Sequence, residues 1–443
     1  MKCDFEADGN THVICAVYMT WAALGMDEAL GKRYLTETSD VFAWFTQSLA
    51  SCPYGYLMPS ISELSGNPEV SYPVYGIYAT YGVMTAFRLF AKMAKRCGMT
   101  QIQAQYTAEA NKIKAALLEK LVSRGSPPHV LTPAGAWING LDGRDGRYYE
   151  IAEFCRHGIV AHHWTRQLPF VQAYDGWLDH IDDENLANVH QTTYAHIQAH
   201  MAEGYYFRKY GFVSATCWSG IGGRHDDTMA GYGQNYFTQS ALMADDVNTY
   251  TLCMKGIARL VYDGDVAVPM TYEMNPWLMH ECFNYDHYEQ GYDHTFGVKG
   301  DDTKDIYDNP GDEASLVQCA ETLKTIALVV GISADDGILY IKPRLPWTWD
   351  GMEVFDYPVI DGDSVVRRIH VKVEHERWQK TTRIRIDNIL GFSKTIVRFG
   401  PYPNVMAFVP DGYSVEQTKG ASWLRREFEQ SASLDWAVDV RLK

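Results

Sequence analysis

The residues best suited to chemistry in this chain are carboxylates set among glycines and aromatic rings. Glu63 stands in Gly55-Tyr56-Leu57-Met58-Pro59-Ser60-Ile61-Ser62-Glu63-Leu64, and Asp312 and Glu313 close Asn309-Pro310-Gly311-Asp312-Glu313. Asp8, Asp142, Asp145, Asp226, Asp227, Glu273 and Glu281 lie in comparable surroundings. Two carboxyl groups facing each other across an aromatic cleft can cleave a glycosidic bond. One gives a proton to the leaving oxygen, and the other activates water or attacks the anomeric carbon. Glu63 is the first choice for the acid, because Leu57, Met58, Ile61 and Leu64 are apolar and desolvation raises a carboxyl pKa. A solvated loop glutamate is the alternative. Asp312 is the first choice for its partner, with Glu313, Glu281 and Glu273 in reserve. Asp312 suits equally well the N-cap of the helix that follows it.

The ligand-facing candidates are aromatic and polar. The chain has 12 Trp, 29 Tyr and 17 Phe, and many of them lie in loops, which usually avoid large rings. Trp137, Trp218 and Tyr232 suit a cleft for flat, amphipathic sugar rings, unless long loops simply fold over their own aromatics. Tyr232 and Gln234 open a helix at Gly231, and His12 follows Asp8-Gly9-Asn10-Thr11 into another. Ordinary packing is the competing role for each.

Other chemistries find little support. The nine cysteines are scattered without a CxxC pair. Gly140-Leu141-Asp142-Gly143-Arg144-Asp145-Gly146 has the composition of a calcium loop without EF-hand spacing. His162-His163 and Arg224-His225-Asp226-Asp227 have no third partner at metal-ligand spacing. Gly-rich phosphate loops, serine elbows and HExxH are missing. Neither a metal nor a cofactor is expected. A formal charge of −16 argues against nucleic acid and anionic membranes. No run of 18 uncharged apolar residues suggests a membrane span. Met1-Lys2-Cys3-Asp4-Phe5-Glu6 does not open a signal peptide, and the location is left open between the cytoplasm and a trimmed, exported form.

Helices must position these residues. Val13–Leu24, Tyr72–Cys97, Tyr232–Ala244 and Glu313–Val330 are apolar on nearly every side, as buried helices are. The first three are followed, after short links, by more polar helices over 28–50, 100–121 and 247–262. The opposite links are long, over 51–71, 123–148, 202–231 and 263–312, and loops of that length are usually functional. Buried helices wrapped by surface helices, with long loops at one end, make a double-layered α/α barrel of the (α/α)6 type. About five inner and four outer helices are visible where a closed barrel has six of each, so the sequence reads as shortened or reduced at its N-terminal side. From about Ala334 the period changes to two: Val365, Ile369, Val371, Val373, Ile384, Ile386, Trp436 and Val438 alternate with polar residues. The expected division is a barrel over 1–333 and a C-terminal antiparallel β-sandwich over 334–443.

Three stretches resemble the six-hairpin glycosidase superfamily, with its glucoamylase-like and rhamnosidase-like members. They are Asp8-Gly9-Asn10 at an inner helix, Gly231-Tyr232-Gly233-Gln234-Asn235-Tyr236-Phe237-Thr238-Gln239, and the run from Leu316 through Ile341-Lys342-Pro343-Arg344-Leu345-Pro346 to Trp349-Asp350-Gly351. The last is similar to the way into the C-terminal sandwich of rhamnosidase-like enzymes. The resemblance implies a glycoside hydrolase with a loop carboxylate pair, an inverting course and a carbohydrate substrate. The alternatives are a polysaccharide lyase on the same barrel and a non-catalytic glycan-binding remnant.

Overall fold

The computed structural model describes residues 7–60, 74–75, 77–120, 129–131, 137–139, 194–195, 198, 202, 205–213, 228–262, 282–284, 316–335, 337–362, 365–376, 381–402, 406–418, 421–439 and 441–442. Helices come first: α1 (Ala7–Ala23), α2 (Glu28–Glu37), α3 (Ser39–Ala50), α4 (Ile77–Arg96), α5 (Thr100–Lys120), α6 (Tyr205–Tyr210), α7 (Gly231–Met243), α8 (Val247–Tyr262) and α9 (Leu316–Val330). Strands dominate from Ile332 onward.

Three helix limits differ from the sequence expectation. α1 begins at Ala7 rather than Val13, so Asp8-Gly9-Asn10-Thr11-His12 is helical backbone and not a loop leading into the helix. The polar helix over 28–50 is two helices divided at Thr38. There the hydroxyl donates to the Tyr34 carbonyl at 2.7 Å, a back-bond that bends helices. The helix expected from Tyr72 begins at Ile77, because Val74 and Tyr75 pair with Ser60 and Pro59 in a short antiparallel ladder.

Three corners share one backbone device. After α1, Gly25 donates to Ala22 O and Met26 to Trp21 O, both at 3.0 Å. After α4, Gly98 donates to Lys95 O at 3.2 Å and Met99 to Ala94 O at 2.8 Å. After α7, Asp245 donates to Leu242 O at 3.1 Å and Asp246 to Ala241 O at 3.0 Å. This is the Schellman pattern, with a left-handed residue just past the helix end. Gly25 and Gly98 fill that place at φ 88° and 69°, but Asp245 holds it at φ 53°. The following helix is then capped by a carboxylate in two cases. Asp27 Oδ1 accepts from Leu30 N–H at 2.7 Å, and Asp246 Oδ1 from Thr249 N–H at 3.1 Å.

Each corner reverses the chain, so the helices leading into corners can run parallel to one another. Thr11, early in α1, abuts Gly82, early in α4, while Trp21 and Cys97 meet at Gly31 near the other ends. Asn235 bonds Thr322 and Thr325, and Gln239 bonds Thr325, which sets α7 parallel to α9. One core joins α1 to α5 through Trp21, Phe42, Phe87, Phe90 and Tyr106. The Phe42 ring lies 4.6 Å from Tyr106 and 4.9 Å from both Phe87 and Phe90. α4 is buried on almost every side, whereas α5 buries one stripe: Tyr106, Ala110, Ile113, Ala116 and Leu117. Burial pushes the Tyr106 hydroxyl pKa up to about 12. A second core joins α7, α8 and α9 to Ala421 and Trp423.

The strand-rich part has two larger sheets, ordered β16-β11-β10-β9 and β14-β15-β12-β8-β7. The first contains β9 (Gly351–Ile360), β10 (Val366–Glu376), β11 (Thr381–Asp387) and β16 (Ser433–Asp439). The second contains β7 (Ile332–Asp335), β8 (Ile338–Ile341), β12 (Lys394–Tyr402), β14 (Ser414–Gln417) and β15 (Ser422–Glu429). Val371, Ile384 and Val438 of one and Leu339, Val397 and Leu424 of the other meet in a shared apolar core. The pairing is antiparallel except between β8 and β12, which run parallel with Ile338 opposite Lys394. The chain leaves the second sheet after β8, builds β9, β10 and β11 in the first, and returns in β12 beside β8.

The segment after β8 fastens these strands to the helices. Lys342 and Arg344 donate backbone N–H groups to Gly331 O and Val329 O, both at 2.8 Å. Gly331 is at φ 65°, and a Cβ there would lie 1.8 Å from the Lys342 carbonyl, so only glycine fits. The Lys342 ammonium reaches Asp245 at 2.8 Å, and Arg344 Nε makes an ionic contact with the other carboxylate oxygen at 3.4 Å. All three side chains are buried. Trp423 lies 5.0 Å beneath the ammonium. Burial lowers the Lys342 pKa, and the nearby carboxylate opposes that shift. Trp347 completes the fastening through Thr251 Oγ1 at 2.8 Å and Asn248 Oδ1 at 2.7 Å.

This cluster makes an ordered prediction. Asp245→Asn leaves two buried cations without the counter-ion they share, and should lower unfolding free energy by about 3–5 kcal/mol. Lys342→Met leaves Arg344 with Asp245 and should cost less. Urea denaturation of both variants checks the order. Equal losses, or a larger one for Lys342→Met, would remove Asp245 from its central place.

Candidate functional site

Very short strands organise the long loops. β1 (Pro59–Ser60), β2 (Val74–Tyr75), β3 (His129–Leu131) and β4 (Trp137–Asn139) form one antiparallel sheet in that order. Tyr75 sits opposite both Pro59 and Leu131, and Leu131 opposite Trp137. β5 (Thr228–Ala230) pairs with β6 (Cys282–Asn284). β2 leads directly into α4 and β5 into α7. Loops far apart in sequence are thus stitched in pairs at the N-terminal ends of two helices. Strands of two or three residues gain little alone, but they satisfy backbone groups that burial would otherwise orphan.

The approach to β1 is bolted down. Met58 N–H donates to Thr80 Oγ1 of α4 at 3.1 Å. Tyr56 donates to Glu109 of α5 at 2.5 Å, and Lys112 stands 3.5 Å over its ring. Burial, with Glu109 adding to it, pushes the Tyr56 hydroxyl pKa well up, so it stays a donor. Leu57 and Met58 belong to the core between α1 and α5.

The candidates fall as follows. Glu63, Asp312, Glu313 and Trp218 lie outside the described residues, as do Glu273 and Glu281. Glu63 belongs to the 61–73 stretch that joins β1 to β2, and Asp312 and Glu313 shortly precede α9. The backbone of His12 is in α1, beside Thr11, which abuts Gly82 of α4. That of Tyr232 is in the first turn of α7, and that of Trp137 in β4. β1 and β2, which flank the stretch bearing Glu63, and β4, which holds the backbone of Trp137, belong to one sheet.

Gln234 is fully buried, and its amide is engaged by backbone. Its oxygen accepts from Val213 N–H at 2.8 Å, and its nitrogen donates to Gly211 O at 2.8 Å and Cys253 O at 3.1 Å. It clips the chain after α6 onto α8, where Gly211 and Gly256 allow close approach. A Cβ on Gly256 would lie 2.4 Å from the Gly211 carbonyl. These contacts belong to the ordinary packing weighed against a ligand-facing place for Gln234, since three polar backbone groups engage its one amide.

Sequence reasoning missed the polar seam beside it. Asn235 and Gln239 of α7 meet Thr322 and Thr325 of α9 at 2.9–3.2 Å, with Thr325 and both amides buried. The signal was present as amides and hydroxyls within an otherwise apolar helix. Asp246, besides capping α8, accepts from the Tyr194 hydroxyl at 2.8 Å. Burial raises the Cys253 thiol pKa well above its ordinary value, which suits packing rather than nucleophilic attack. Among the described residues no group of His, Cys, Asp and Glu could hold a metal ion. Among the described residues no helix is long and apolar enough to cross a membrane.

No protein-family model matches the chain, and no curated protein matches it. Among solved structures it is similar to the α-L-rhamnosidase from Dictyoglumus thermophilum, with a TM-score of 0.42 and 9% identity. The match covers 93% of this chain and 38% of that one, so the chain spans well under half of that enzyme's length.

Gln234 offers a direct test. Gln234→Met keeps the bulk and abandons three buried backbone groups, so unfolding free energy should fall by about 3 kcal/mol or more. Gln234→Glu turns a donor into a carboxylate facing two carbonyls, and should cost at least as much. Thermal and urea unfolding check both. Wild-type stability in either variant would return Gln234 to the ligand-facing candidates.

Proposed function

We propose that the protein is a carbohydrate-active hydrolase that cleaves a glycosidic bond of an oligosaccharide or polysaccharide with two carboxylates. In this reading an α/α barrel over 1–333 carries the chemistry, and a β-sandwich over 334–443 buttresses it. The supporting observation is the short sheet before α4. β1 and β2 flank the stretch bearing Glu63, and Trp137 lies in β4 of the same sheet, two strands from β2. A proton donor and a sugar platform need that kind of rigid common support. The carboxylate-rich, aromatic loops supply the rest of the argument.

In the proposed reaction the Glu63 carboxyl gives its proton to the glycosidic oxygen as the bond from the anomeric carbon to that oxygen breaks. Water enters the anomeric carbon from the opposite face, and Asp312, or its neighbour Glu313, takes the water's proton. The configuration inverts, and exchange with solvent restores both groups. His12, Trp137, Trp218 and Tyr232 contact the sugar, while Gln234 braces the wall behind α7.

Glu63→Gln keeps the side-chain shape and removes the transferable proton. Activity on natural glycosides should fall roughly 100-fold to 10,000-fold. The loss should be much smaller on aryl glycosides whose leaving groups need little protonation. Steady-state rates on both substrate types check this, with a stability measurement to exclude misfolding. Equal losses on both would take the acid role from Glu63. Unsaturated products from uronate polymers, without hydrolysis of any aryl glycoside, would replace hydrolysis by elimination.

A further inference from the structure

β9 interrupts its ladder to hold an aromatic ring out in solvent. Ile369 of β10 pairs with Tyr357 and Val371 with Val354, so Phe355 and Asp356 together oppose His370 alone. Two residues against one make a β-bulge, a device that re-aims side chains. Asp356 adopts φ 54° within it, a left-handed backbone that disfavours every residue but glycine. Core packing does not account for this local strain, because Phe355 is 67% exposed. A strained backbone that aims an apolar ring at water points to a ligand rather than to stability.

The surroundings of the ring are well fixed. Ile369 and Val371 belong to the sandwich core, so His370 between them faces outward. Its imidazole lies flat against the Phe355 ring, with centroids 4.7 Å apart and planes 12° from parallel. Nε2 of His370 lies 2.9 Å from Glu353 Oε1, and Nδ1 lies 3.5 Å from Asp387 Oδ2. The imidazole is thus held between two carboxylates and backs one face of the phenyl ring, which leaves the other face to solvent. Farther along this side of the sheet Lys372 pairs with Glu374 at 2.8 Å, and Arg383 and Arg385 pair with Asp435 at 2.7 and 3.0 Å. A polyelectrolyte would have to displace these pairs. Hydroxyl groups need not, since a carboxylate has about four lone-pair sites and a guanidinium five N–H donors. An open apolar ring face beside fixed acceptors and donors matches a sugar ring, with its C–H face and its rim of hydroxyls.

We infer that the outer face of the β16-β11-β10-β9 sheet binds a neutral saccharide chain, with Phe355 as the stacking platform and Glu353 and Asp387 accepting hydrogen bonds from its hydroxyls. The class of ligand rests on the carbohydrate reading above. Glu63, Asp312 and Glu313 lie outside this sheet, so binding here and hydrolysis can be lost separately.

Affinity electrophoresis of the full chain tests this in gels containing arabinoxylan, glucomannan, galactomannan or mixed-linkage β-glucan, with polygalacturonate as the charged control. At least one neutral polymer should retard the protein, and added salt should not release it. Phe355→Ala, at an exposed position, should raise the dissociation constant on the order of tenfold, as the loss of an aromatic anchor does. Phe355→Trp keeps a stacking ring and should keep the retardation. Light scattering of each variant reports its assembly. Indifference to every neutral polymer, retention by polygalacturonate alone, unchanged retardation of Phe355→Ala, or a dimer that Phe355→Ala dissolves would overturn the proposal. Hydrolysis of an aryl glycoside without retardation would remove this site and leave the proposed function standing, and retardation without hydrolysis would do the reverse.

Discussion

The contact between Asp245 and the two cations after β8 is the constraint on which the junction between the helices and the strand-rich part depends. Charges removed from water repay their desolvation only with close partners and further hydrogen bonds. Here the backbone of Lys342 and Arg344 is tied to the last turn of α9, and the Arg344 guanidinium also donates to Leu328 O at 3.2 Å. Two residues apart on an extended segment, the two side chains share one side. The α7–α8 corner presents a single carboxylate to both. A glycine would suit the left-handed backbone better, as it does at the other two corners, but glycine has no charge to offer.

The parallel helices find their register by two different means. α1 and α4 meet through apolar packing and the small Gly82, a contact that tolerates sliding. α7 and α9 meet through amides and hydroxyls, each of which requires its partner at a fixed level. A buried amide displaced by one turn would lose its hydrogen bond, so the seam carries more positional information than its modest net energy suggests. The loops above α4 and α7 receive similar definition from their short ladders.

Much of the helical framework was legible in the sequence, because long periodic segments such as α4, α5 and α8 leave a strong imprint. The break at Thr38 was not, since a hydroxyl that bonds back to Tyr34 looks like any other helical threonine. Strands of two residues have no periodicity to read, which hid the sheet linking Pro59, Tyr75, Leu131 and Trp137. The alternation after Ala334 announced strands but not that β12 would lie parallel to β8, a matter of sheet order. Gln234 illustrates a limit for sites: an amide in the first turns of a helix reads the same whether it faces a ligand or three backbone groups. The run Lys342-Pro343-Arg344 was visible as a junction, but its charges made sense only beside a carboxylate remote in sequence. Glu63, Asp312, Glu313 and Trp218 rest on sequence reasoning, as they lie outside the described residues.

That remoteness sets an order of events during synthesis. Asp245 and Lys342 are 97 positions apart. At about 5–20 residues per second, the α7–α8 corner emerges about 5–20 s before its counter-charges. In that interval helices α7 and α8 can form locally, but their corner must keep its carboxylate hydrated and cannot settle into the dry position it finally holds. A nascent chain stalled before residue 342 should therefore present this corner to solvent and to chaperones, and the second helical core can close only once Trp423, which lies beneath the Lys342 ammonium, has also been made.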